Sequence, residues 1–564
     1  MNEHIIATAT AWRDSDPDPD TRAQLDTLIA AARNGSASDL DTLTALFTGM
    51  LEFGTAGLRG PLGPGPAAMN SVMVRRAAWA LGQHLLAHLD TPGRVVVGYD
   101  ARHKSAQFAT DTARVLTALG IEVTLFPAPL PTPILAWAVR AWGADAGVQV
   151  TASHNPARDN GYKVYLGQRL TPDSPGSQLV GPHDHLIHAL MERCDITAVE
   201  LADDGWTTLE PGFERDYIEA VAALVSPADG PTRQRRAALR IVLTPIHGVG
   251  DATVRAVLGA AGFTDLTTVA EQAEPDPEFP TVYFPNPEEP GAMDLALKLA
   301  TTLDADVVIA NDPDTDRCAV ATVIDGQWQM LHGDVVGSLL GEVMGRRFAG
   351  TPQAVLGNSI VSSRQLAAIA ARHGLATAQT LTGFKWISRQ PGLVYGYEEA
   401  LGYCVAPDLV RDKDGISAAV LIADYVSQLK AAGRTLADAI DDLALADGVY
   451  LTRQVSARFT EVADVSRAMD RLLASPPLSL AGEAVSATED LSHGSDTLPA
   501  TTGLALHTES GARVIVRPSG TEPKVKAYLE VIRPVRDGNL AGARADASAA
   551  MDALVADVRG ALGL

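Results

Sequence analysis

The chain has 564 residues, with 45 Lys or Arg against 68 Asp or Glu, so its formal net charge is −23. This acidity argues against nucleic acid or an anionic membrane as a partner, because both attract positively charged surfaces. The 46% of apolar residues is typical of a globular protein, and at roughly 150 residues per domain the length predicts about three to four domains.

The first elements of the chain predict a cytoplasmic protein. Met1 to Trp12 lacks the basic and apolar regions of a signal peptide, and no apolar run reaches the ~18 residues that span a bilayer. Three scattered cysteines are too few for a disulfide framework. After a polar turn, a helix is predicted to be capped by Asp20 or Thr21 and to end at Gly35.

One supersecondary pattern then occurs three times along the chain. An apolar run is followed by a helical pattern, a glycine and a second apolar run, beginning near residues 94, 240 and 354. Short apolar strands that alternate with helices indicate βαβ units with parallel strands. The sequence therefore predicts three related α/β domains.

Four strand-like runs end in dense polar loops, which begin at Thr151, Asn311, Gly396 and Arg517. In open α/β sheets, ligands bind beyond the carboxyl ends of the strands. Four such loops in four segments predict one central cleft assembled from four domains.

The loop Asn311-Asp-Pro-Asp-Thr-Asp-Arg317 is a candidate metal site, because its three carboxylates repel one another unless a cation lies between them. Hard oxygen ligands suit Mg²⁺ or Ca²⁺. The spacing excludes an EF-hand, since Arg317 stands where its glycine belongs. Three protein oxygens leave room for a phosphate oxygen, the usual magnesium arrangement in phosphoryl transfer.

The other loops allow several functions. Ser153, in Thr151-Ala-Ser-His-Asn-Pro156, could be a nucleophile, a phosphate ligand or a turn residue. It lacks the flanking glycines of a Gly-x-Ser-x-Gly hydrolase. Lys163 could return to the same cleft as a base or a cation. Glu398 could accept hydrogen bonds from sugar hydroxyls or lie in a solvated turn.

Two stretches combine glycine with a cation. Arg517-Pro-Ser-Gly-Thr521 offers a guanidinium, two hydroxyls and open amides, which together form a compact phosphate cradle. Phe53-Gly-Thr-Ala-Gly-Leu-Arg-Gly60 carries Arg59 and is compatible with phosphate contact or with a plain loop.

Taken together and in this order, these loops resemble the α-D-phosphohexomutase superfamily, which includes phosphoglucomutases and phosphomannomutases. The resemblance implies that Ser153 is phosphorylated and that its phosphate completes the coordination of Mg²⁺ by Asp312, Asp314 and Asp316. It implies that Arg59 contacts the phosphoserine and that Lys163 is a general base or acid. The implied substrate-binding residues are Arg317, Thr382, Lys385, Glu398, Lys413, Arg517, Ser519, Gly520 and Thr521.

The resemblance also implies the reaction. The expected function is interconversion of sugar 1-phosphate and 6-phosphate, for glucose or mannose, through phosphoserine and a bisphosphate intermediate. Mg²⁺ and a sugar 1,6-bisphosphate activator are the expected cofactors, and the partner is a small phosphosugar. In one departure, Ala400 stands where the hexomutase sugar loop usually has serine. In this respect the chain resembles the branch that contains phosphopentomutases and sugar-bisphosphate synthases. Phosphopentomutase and sugar-1,6-bisphosphate synthase are therefore the alternative functions.

The expected fold is α/β, with three related α/β domains and a smaller α+β C-terminal domain around one central cleft. The expected domains are a phosphoserine-bearing domain, a metal-binding domain, a sugar-recognition domain and a phosphate-binding domain, over residues 1–210, 211–332, 333–443 and 444–564. Two rival functions are a phosphatase with Asp312 as nucleophile and a non-catalytic phosphosugar-binding protein. A phosphatase leaves the loops of Ser153 and Arg517 without a role.

Overall fold

The computed structural model describes residues 2–54, 57–459, 462–496, 498–518 and 524–563. The chain divides into two compact units: residues 1–321 with 406–427, and residues 322–405 with 428–564. None of the described helices is both long and apolar enough to cross a membrane.

The first unit begins with three helices, α1 (Asn2–Ser15), α2 (Pro19–Arg33) and α3 (Ala37–Phe47). They share a small core of Ala9, Leu25, Ile29 and Leu43. The predicted helix is α2, but its cap is Asp18 rather than Asp20 or Thr21: the Asp18 carboxylate accepts a hydrogen bond from the Asp20 amide. Pro19 explains the earlier start, since proline suits the first helical position.

The first α/β sheet has strand order β1-β5-β4-β2-β3-β7, with β6 paired to β5. Strands β2, β3 and β4 are parallel, and β5 is antiparallel to both β4 and β1. Its elements, with the helices that follow, are β1 (Leu58–Pro61), α4 (Ser71–His88), β2 (Arg94–Tyr99), α5 (Ser105–Ala118), β3 (Glu122–Leu125), α6 (Thr132–Ala141), β4 (Ala146–Val150), β5 (Asp159–Leu166), β6 (Ser177–Gln178), α7 (His183–Arg193), β7 (Thr207–Thr208), α8 (Arg215–Ala222) and α9 (Gly230–Ala237).

The second sheet contains four neighbouring strands in the order β11-β10-β8-β9. Strand β8 is parallel to β9 and to β10, and β11 returns antiparallel to β10. Its elements are β8 (Arg240–Thr244), α10 (Asp251–Ala260), β9 (Asp265–Thr268), α11 (Asp294–Leu303), β10 (Val307–Ala310) and β11 (Ala319–Ile324). Strand β10 is buried along its length and delivers the aspartate loop.

The third sheet lies in the second unit and has order β14-β13-β15-β16, with β13 parallel to β14 and β15. The elements of this part of the chain are β12 (Gln327–Met330), α12 (Gly333–Phe348), β13 (Val355–Ser359), α13 (Gln365–Arg372), β14 (Ala376–Thr380), α14 (Phe384–Ile387), β15 (Leu393–Glu398), β16 (Gly402–Cys404), α15 (Gly415–Ala431) and α16 (Leu436–Asp447).

The last sheet has order β17-β22-β21-β20-β19-β18 and is antiparallel throughout. The long helix α18 packs apolar residues such as Met551 and Leu554 into its core. Its elements are β17 (Val449–Arg458), α17 (Val462–Ala474), β18 (Ser479–Leu480), β19 (Glu483–Asp490), β20 (Leu504–Thr508), β21 (Arg513–Pro518), β22 (Lys524–Arg533) and α18 (Leu540–Leu562). The predicted fold class, three α/β sheets and a smaller α+β C-terminal part, is confirmed.

Candidate active site

The loop after β4 carries the predicted nucleophile, Ser153, which is 1% exposed. Its hydroxyl donates to Asp312 Oδ2 at 2.9 Å and lies 3.2 Å from His154 Nδ1. The Ser153 backbone has a φ of 54°, in the left-handed region. For a residue with a Cβ this conformation costs roughly 1–3 kcal/mol, so it persists only where the surrounding structure holds it. The amide of Ser153 donates to Thr151 Oγ1 at 2.8 Å.

Arg102, three residues past the end of the adjacent strand β2, holds this loop. Arg102 is 4% exposed, and its guanidinium donates to four backbone oxygens of the serine loop and the first residue of β5. The accepting carbonyls, at 2.6, 2.6, 2.8 and 3.1 Å, belong to Ser153, Asn155, Pro156 and Asp159. One rigid, planar group therefore fixes both sides of the turn that presents the serine.

Asp312, Asp314 and Asp316 lie together after β10 and are completely buried. One oxygen from each carboxylate falls within 4.8 Å of the others. Oδ1 of Asp314 and Oδ1 of Asp316 are buried and accept no hydrogen bond from any described residue. Buried carboxylate oxygens without donors are costly unless a cation binds them, so this donor set fits a hard divalent ion such as Mg²⁺.

Glycines from two other segments let the chain close tightly around the aspartate loop. A Cβ on Gly415 would lie 2.2 Å from the Arg317 carbonyl oxygen, and one on Gly248 would lie 2.3 Å from Pro313 Cα. Real side chains do not approach backbone this closely, so both positions require glycine. The loop is thus held from both sides by backbone contact.

Two lysines balance the charge of the carboxylates. Lys163 on β5 is 1% exposed, and its ammonium donates to Asp314 Oδ2 at 2.6 Å and to Asp316 Oδ2 at 2.7 Å. Lys413 Nζ lies 3.2 Å from Asp316 Oδ2. Thr132, at the start of α6, adds a hydroxyl donor to Asp314 Oδ2 at 2.6 Å.

These contacts separate the acidities of the three aspartates. Burial, together with Asp314 and Asp316, raises the pKa of Asp312 well above its ordinary value. Burial also pushes the pKa of Asp316 upward, but Lys163 and Lys413 more than offset it, so that pKa is lowered. Burial and the neighbouring Asp316 also raise the pKa of Asp314, but the contacts with Lys163 and Thr132 together leave that pKa lowered. A bound cation would favour the ionised form of Asp312 as well.

Two further cations join the same site. Arg59 lies on β1 opposite Gly161 of β5, and its buried guanidinium interacts with Asp314 and Asp316; burial lowers its pKa. Arg317 donates its amide to Asp312 Oδ1 at 3.0 Å, and its Nε lies 3.8 Å from Asp312 Oδ2. Thr55 and Ala56, in the glycine-rich loop before Arg59, are outside the described residues.

Lys413 has a positioning neighbour that sequence analysis did not identify. Asp412 is 1% exposed, and its Oδ2 accepts hydrogen bonds from Tyr165 Oη at 2.8 Å and Gln178 Nε2 at 2.6 Å. Asp412 Oδ1 lies 3.4 Å from Lys413 Nζ. The loop that bears Lys413 is therefore fixed onto the strands that carry Lys163.

The first unit thus brings together Arg59, Ser153, Lys163, the three aspartates, Arg317 and Lys413. Sequence analysis missed Arg102, Thr132 and Asp412. Arg102 could have been found, since Asp100-Ala-Arg102 also follows a strand end as a polar loop. Nothing in the sequence singles out Thr132, because its role depends on a contact with residue 314.

Four of the predicted site residues that the structure describes lie in the second unit. Arg517, near the end of β21, donates to Thr382 Oγ1, so the structure brings these two together. Glu398 ends β15, and Lys385 Nζ lies 6.0 Å from the centre of the Trp386 ring. Glu399 accepts hydrogen bonds from Ser359 and Ser362. The predicted phosphate ligands Ser519, Gly520 and Thr521 are outside the described residues.

Comparison with known families matches the chain along most of its length. Residues 50–180, 215–323 and 332–445 match the α/β/α domains I, II and III of phosphoglucomutase/phosphomannomutase, and residues 481–546 match the C-terminal domain.

Several curated proteins are similar over nearly their whole length. A probable phosphomannomutase of Haemophilus influenzae is 42% identical over 82% of this chain and 93% of its own. A phosphoglucomutase of Staphylococcus epidermidis is 33% identical over 85% and 90%, and a human phosphopentomutase is 32% identical over 90% and 89%.

Solved structures share the fold. The open form of the phosphoprotein pp63/parafusin, a phosphoglucomutase from Paramecium, superposes with a TM-score of 0.67 at 17% identity and covers 91% of this chain and 96% of its own. The four matched domains and the extent of the identity establish that the chain belongs to the phosphoglucomutase/phosphomannomutase family.

Proposed function

We propose that this phosphosugar mutase interconverts the 1-phosphate and the 6-phosphate of a hexose, glucose or mannose. The phosphoryl group would pass through Ser153 and a hexose 1,6-bisphosphate. The observation that carries this proposal is the buried contact of 2.9 Å between the Ser153 hydroxyl and Asp312. It lies within a cluster of three aspartates, two lysines and two arginines.

The residues that would hold Mg²⁺ are Asp312, Asp314 and Asp316, with an oxygen of phosphorylated Ser153 completing the set. The two buried Oδ1 atoms without donors support this assignment. When bound, the ion would supply Lewis acidity and offset the negative charge of the phosphoryl oxygens.

In the transfer itself, the bond between Ser153 Oγ and phosphorus breaks while a sugar hydroxyl oxygen bonds to the same phosphorus. We assign the hydroxyl proton to Lys163 in its neutral amine form. The ammonium that donates to Asp314 and Asp316 must first lose one proton to solvent before it can accept this one. Arg59 and Arg317 stabilise the charge that spreads over the phosphoryl oxygens, since positioning and electrostatics dominate phosphoryl-transfer catalysis. Arg102 keeps the serine loop rigid throughout.

The remaining predicted residues would bind the substrate. We assign the phosphate that does not react to Arg517, Ser519, Gly520 and Thr521, and the sugar and its approach to Thr382, Lys385, Glu398 and Lys413. We assign the sugar hydroxyls to Glu398, the glutamate indicated by the resemblance to the hexomutase sugar loop. Its neighbour Glu399 accepts hydrogen bonds from Ser359 and Ser362. A sugar 1,6-bisphosphate would act as activator, because it can phosphorylate Ser153 whenever the phosphoryl group has been lost.

Phosphopentomutase or bisphosphate synthase activity is the second candidate, favoured by Ala400. A hydroxyl is missing there from the loop that carries Glu398. Such a site loses one hydrogen bond to a hexose, which weakens discrimination between sugars. The same pocket chemistry would then serve ribose phosphate.

The cysteine content and the net charge support a proposed compartment and a proposed class of partner. All three cysteines are free and buried, which fits the reducing cytoplasm that we infer as the location. The partner is a small phosphosugar, and the net charge of −23 does not favour nucleic acid.

A coupled assay tests this function. Glucose, mannose and ribose 1-phosphates are supplied in turn with Mg²⁺, with and without the matching bisphosphate, and both isomer and inorganic phosphate are measured. We expect isomer from a hexose substrate, faster with the bisphosphate. Release of inorganic phosphate without isomer would instead identify the phosphatase with Asp312 as nucleophile.

A further inference from the structure

Side chains on one face of strands β21 and β22 contact residues that follow strands of the third sheet. Side chains two residues apart share a face of a strand, so Arg513, Ile515 and Arg517 lie on one side of β21. The register places Glu530 opposite Arg513 and Tyr528 opposite Ile515. We call these five residues the docking face.

The centre of the docking face is apolar. Ile515 packs with Ile360, Val361 and Leu381, and Tyr528 packs against the same cluster. Ile360 follows β13 and Leu381 follows β14, at the carboxyl edge of the third sheet. Apolar contact of this kind is non-directional, so by itself it permits the two sheets to rock against each other.

One end of the docking face is ionic. Glu530 is 1% exposed and accepts hydrogen bonds from Ser363 Oγ at 2.9 Å, the Arg364 amide at 2.7 Å and Arg364 Nε at 2.6 Å. Arg513 lies 3.2 Å from the same carboxylate. A buried carboxylate with this many fixed donors has one orientation, so it supplies the direction that the apolar patch lacks.

The ionic end also reaches the sugar loop. Arg513 donates to the Ser362 carbonyl at 2.6 Å, and the Ser362 hydroxyl donates to Glu399 Oε2 at 3.0 Å. Glu399 is the neighbour of Glu398, the carboxylate assigned above to the sugar. The ionic end of the docking face therefore also contacts the backbone that orients the loop of Glu398 and Glu399.

The other end of the docking face is Arg517, on Thr382. Arg517 lies four positions along the strand from Arg513, a distance of about 13 Å. With the apolar patch between them as a pivot, a small rotation at the ionic end displaces the guanidinium of Arg517.

We propose that Glu530 is a positioning residue for substrate binding: it fixes the orientation in which Arg517 meets the non-reacting phosphate of the sugar phosphate. The inference rests on the proposed role of Arg517 as a phosphate ligand. Glu530 itself touches no substrate and acts through the docking face.

The test is a double-mutant cycle in the full-length enzyme. Because Arg517 binds a phosphate that is present in both ground and transition states, Glu530→Gln should raise KM for the hexose 1-phosphate about ten-fold with little change in kcat. In an Arg517→Ala background, Glu530→Gln should raise KM no further. Equal effects of Glu530→Gln in both backgrounds would overturn the proposal, since independent sites act additively.

Glu342→Gln is the matched control. Glu342 is also a buried carboxylate of the second unit, and it accepts from Arg346, Arg372 and His373, but it is not part of the docking face. Its KM effect should add to that of Arg517→Ala. If Glu530→Gln fails to fold, Arg364→Gln removes a partly exposed partner of the same carboxylate and must show the same non-additivity.

Amide hydrogen exchange separates this inference from the proposed function. In Glu530→Gln, exchange should quicken at residues 380–384, which include Thr382, the partner of Arg517, whereas Glu342→Gln should leave it unchanged. If Arg517→Ala does not alter KM, the proposed role of Arg517 as a phosphate ligand fails. Hydrogen exchange is then the only test of whether Glu530 positions the far end of β21. Unchanged exchange at residues 380–384 would then overturn this positioning role.

Discussion

Arg102 shows how much of the chemistry depends on a residue that touches no substrate. Its four hydrogen bonds to backbone carbonyls hold Ser153 at a φ of 54°. Lysine would keep the charge but could not reach several carbonyls in fixed directions. The serine would then lose the position that the arginine fixes.

We expect Arg102→Lys to slow phosphorylation of Ser153 by hexose bisphosphate by about 100-fold, the order of loss that a misplacement near 1 Å produces. The rate of phosphoserine formation by intact mass measures this. Arg114→Lys is the control, because Arg114 also donates to a backbone carbonyl, that of Ala202, in a part-buried position of the same unit. A rate for Arg102→Lys equal to that of the control would disprove the positioning role.

At the residue scale, sequence identifies more readily the groups proposed to react than the groups that support them. Ser153 and the three aspartates stand out because their residue types and spacing suit only a few functions. Arg102 and Thr132 act through backbone oxygens and a single carboxylate oxygen, contacts that any arginine or threonine could make. Only the fold determines which one does.

At the element scale, the aspartate loop depends on close backbone contact at Gly415. The methyl group in Gly415→Ala would lie 2.2 Å from the Arg317 carbonyl oxygen, so the loop must shift. We expect a loss of about 1–3 kcal/mol in unfolding free energy, typical of overpacking, and weaker activation by Mg²⁺. A magnesium titration of activity, with thermal unfolding alongside, measures both.

The control is Gly259→Ala, in helix α10, where an added Cβ meets nothing within 4 Å. It should be neutral or stabilising by up to about 1 kcal/mol, since alanine favours helix. Normal magnesium activation in Gly415→Ala would mean that the loop does not need this contact.

Helices α4 and α7 meet through a histidine cluster. His84 is 1% exposed, and its Nε2 lies 2.9 Å from His183 Nδ1. Burial, with His88 and His183 nearby, lowers the pKa of His84 to about 4. Because the unfolded chain binds the proton more readily, stability should fall as the pH drops from about 6.5 to about 4.

The loss attributable to His84 is at most about 3 kcal/mol. Chemical unfolding at pH 7 and pH 4.5 should show a smaller pH dependence in His84→Gln than in the unmodified chain, since glutamine accepts no proton. An identical pH dependence in both proteins would exclude His84 as the cause.

The three βαβ units were predictable as elements because each begins with a short apolar strand, which is followed by a helix that ends near a glycine. All three strand pairs are parallel, as predicted. Helix α3 was not predicted. Ser36, read as part of the end of α2, caps α3 through a hydrogen bond from Asp39, so one polar turn both ends a helix and begins the next.

At the scale of the whole molecule, residues 2–47 extend the chain beyond the matched family region, which begins at residue 50. They are not isolated from the site. Lys104, two residues past Arg102, lies 3.0 Å from Asp18 Oδ2 and 2.8 Å from Asp20 Oδ2. These two ion pairs connect the N-terminal helices to the loop of Arg102, which in turn holds the loop of Ser153.

Sequence predicted the fold class of the whole chain, while the boundaries near residues 210, 332 and 443 stay predictions. In the structure, residues 406–427 belong to the first unit. No local sequence pattern predicts this grouping. The loop of Lys413 reaches Asp316, Tyr165 and Gln178 across more than 90 positions of sequence. Such long-range pairing is a property of the folded chain.

The covalent state of Ser153 is the most direct test of the central claim. The enzyme is incubated with Mg²⁺ and hexose 1,6-bisphosphate carrying a radioactive phosphate, and labelled peptides are mapped before and after a chase with unlabelled hexose 1-phosphate. The account predicts label on Ser153 that moves into sugar during the chase, and no label in a folded Ser153→Ala variant. Label on an aspartate, or on no residue while isomer still forms, would contradict it.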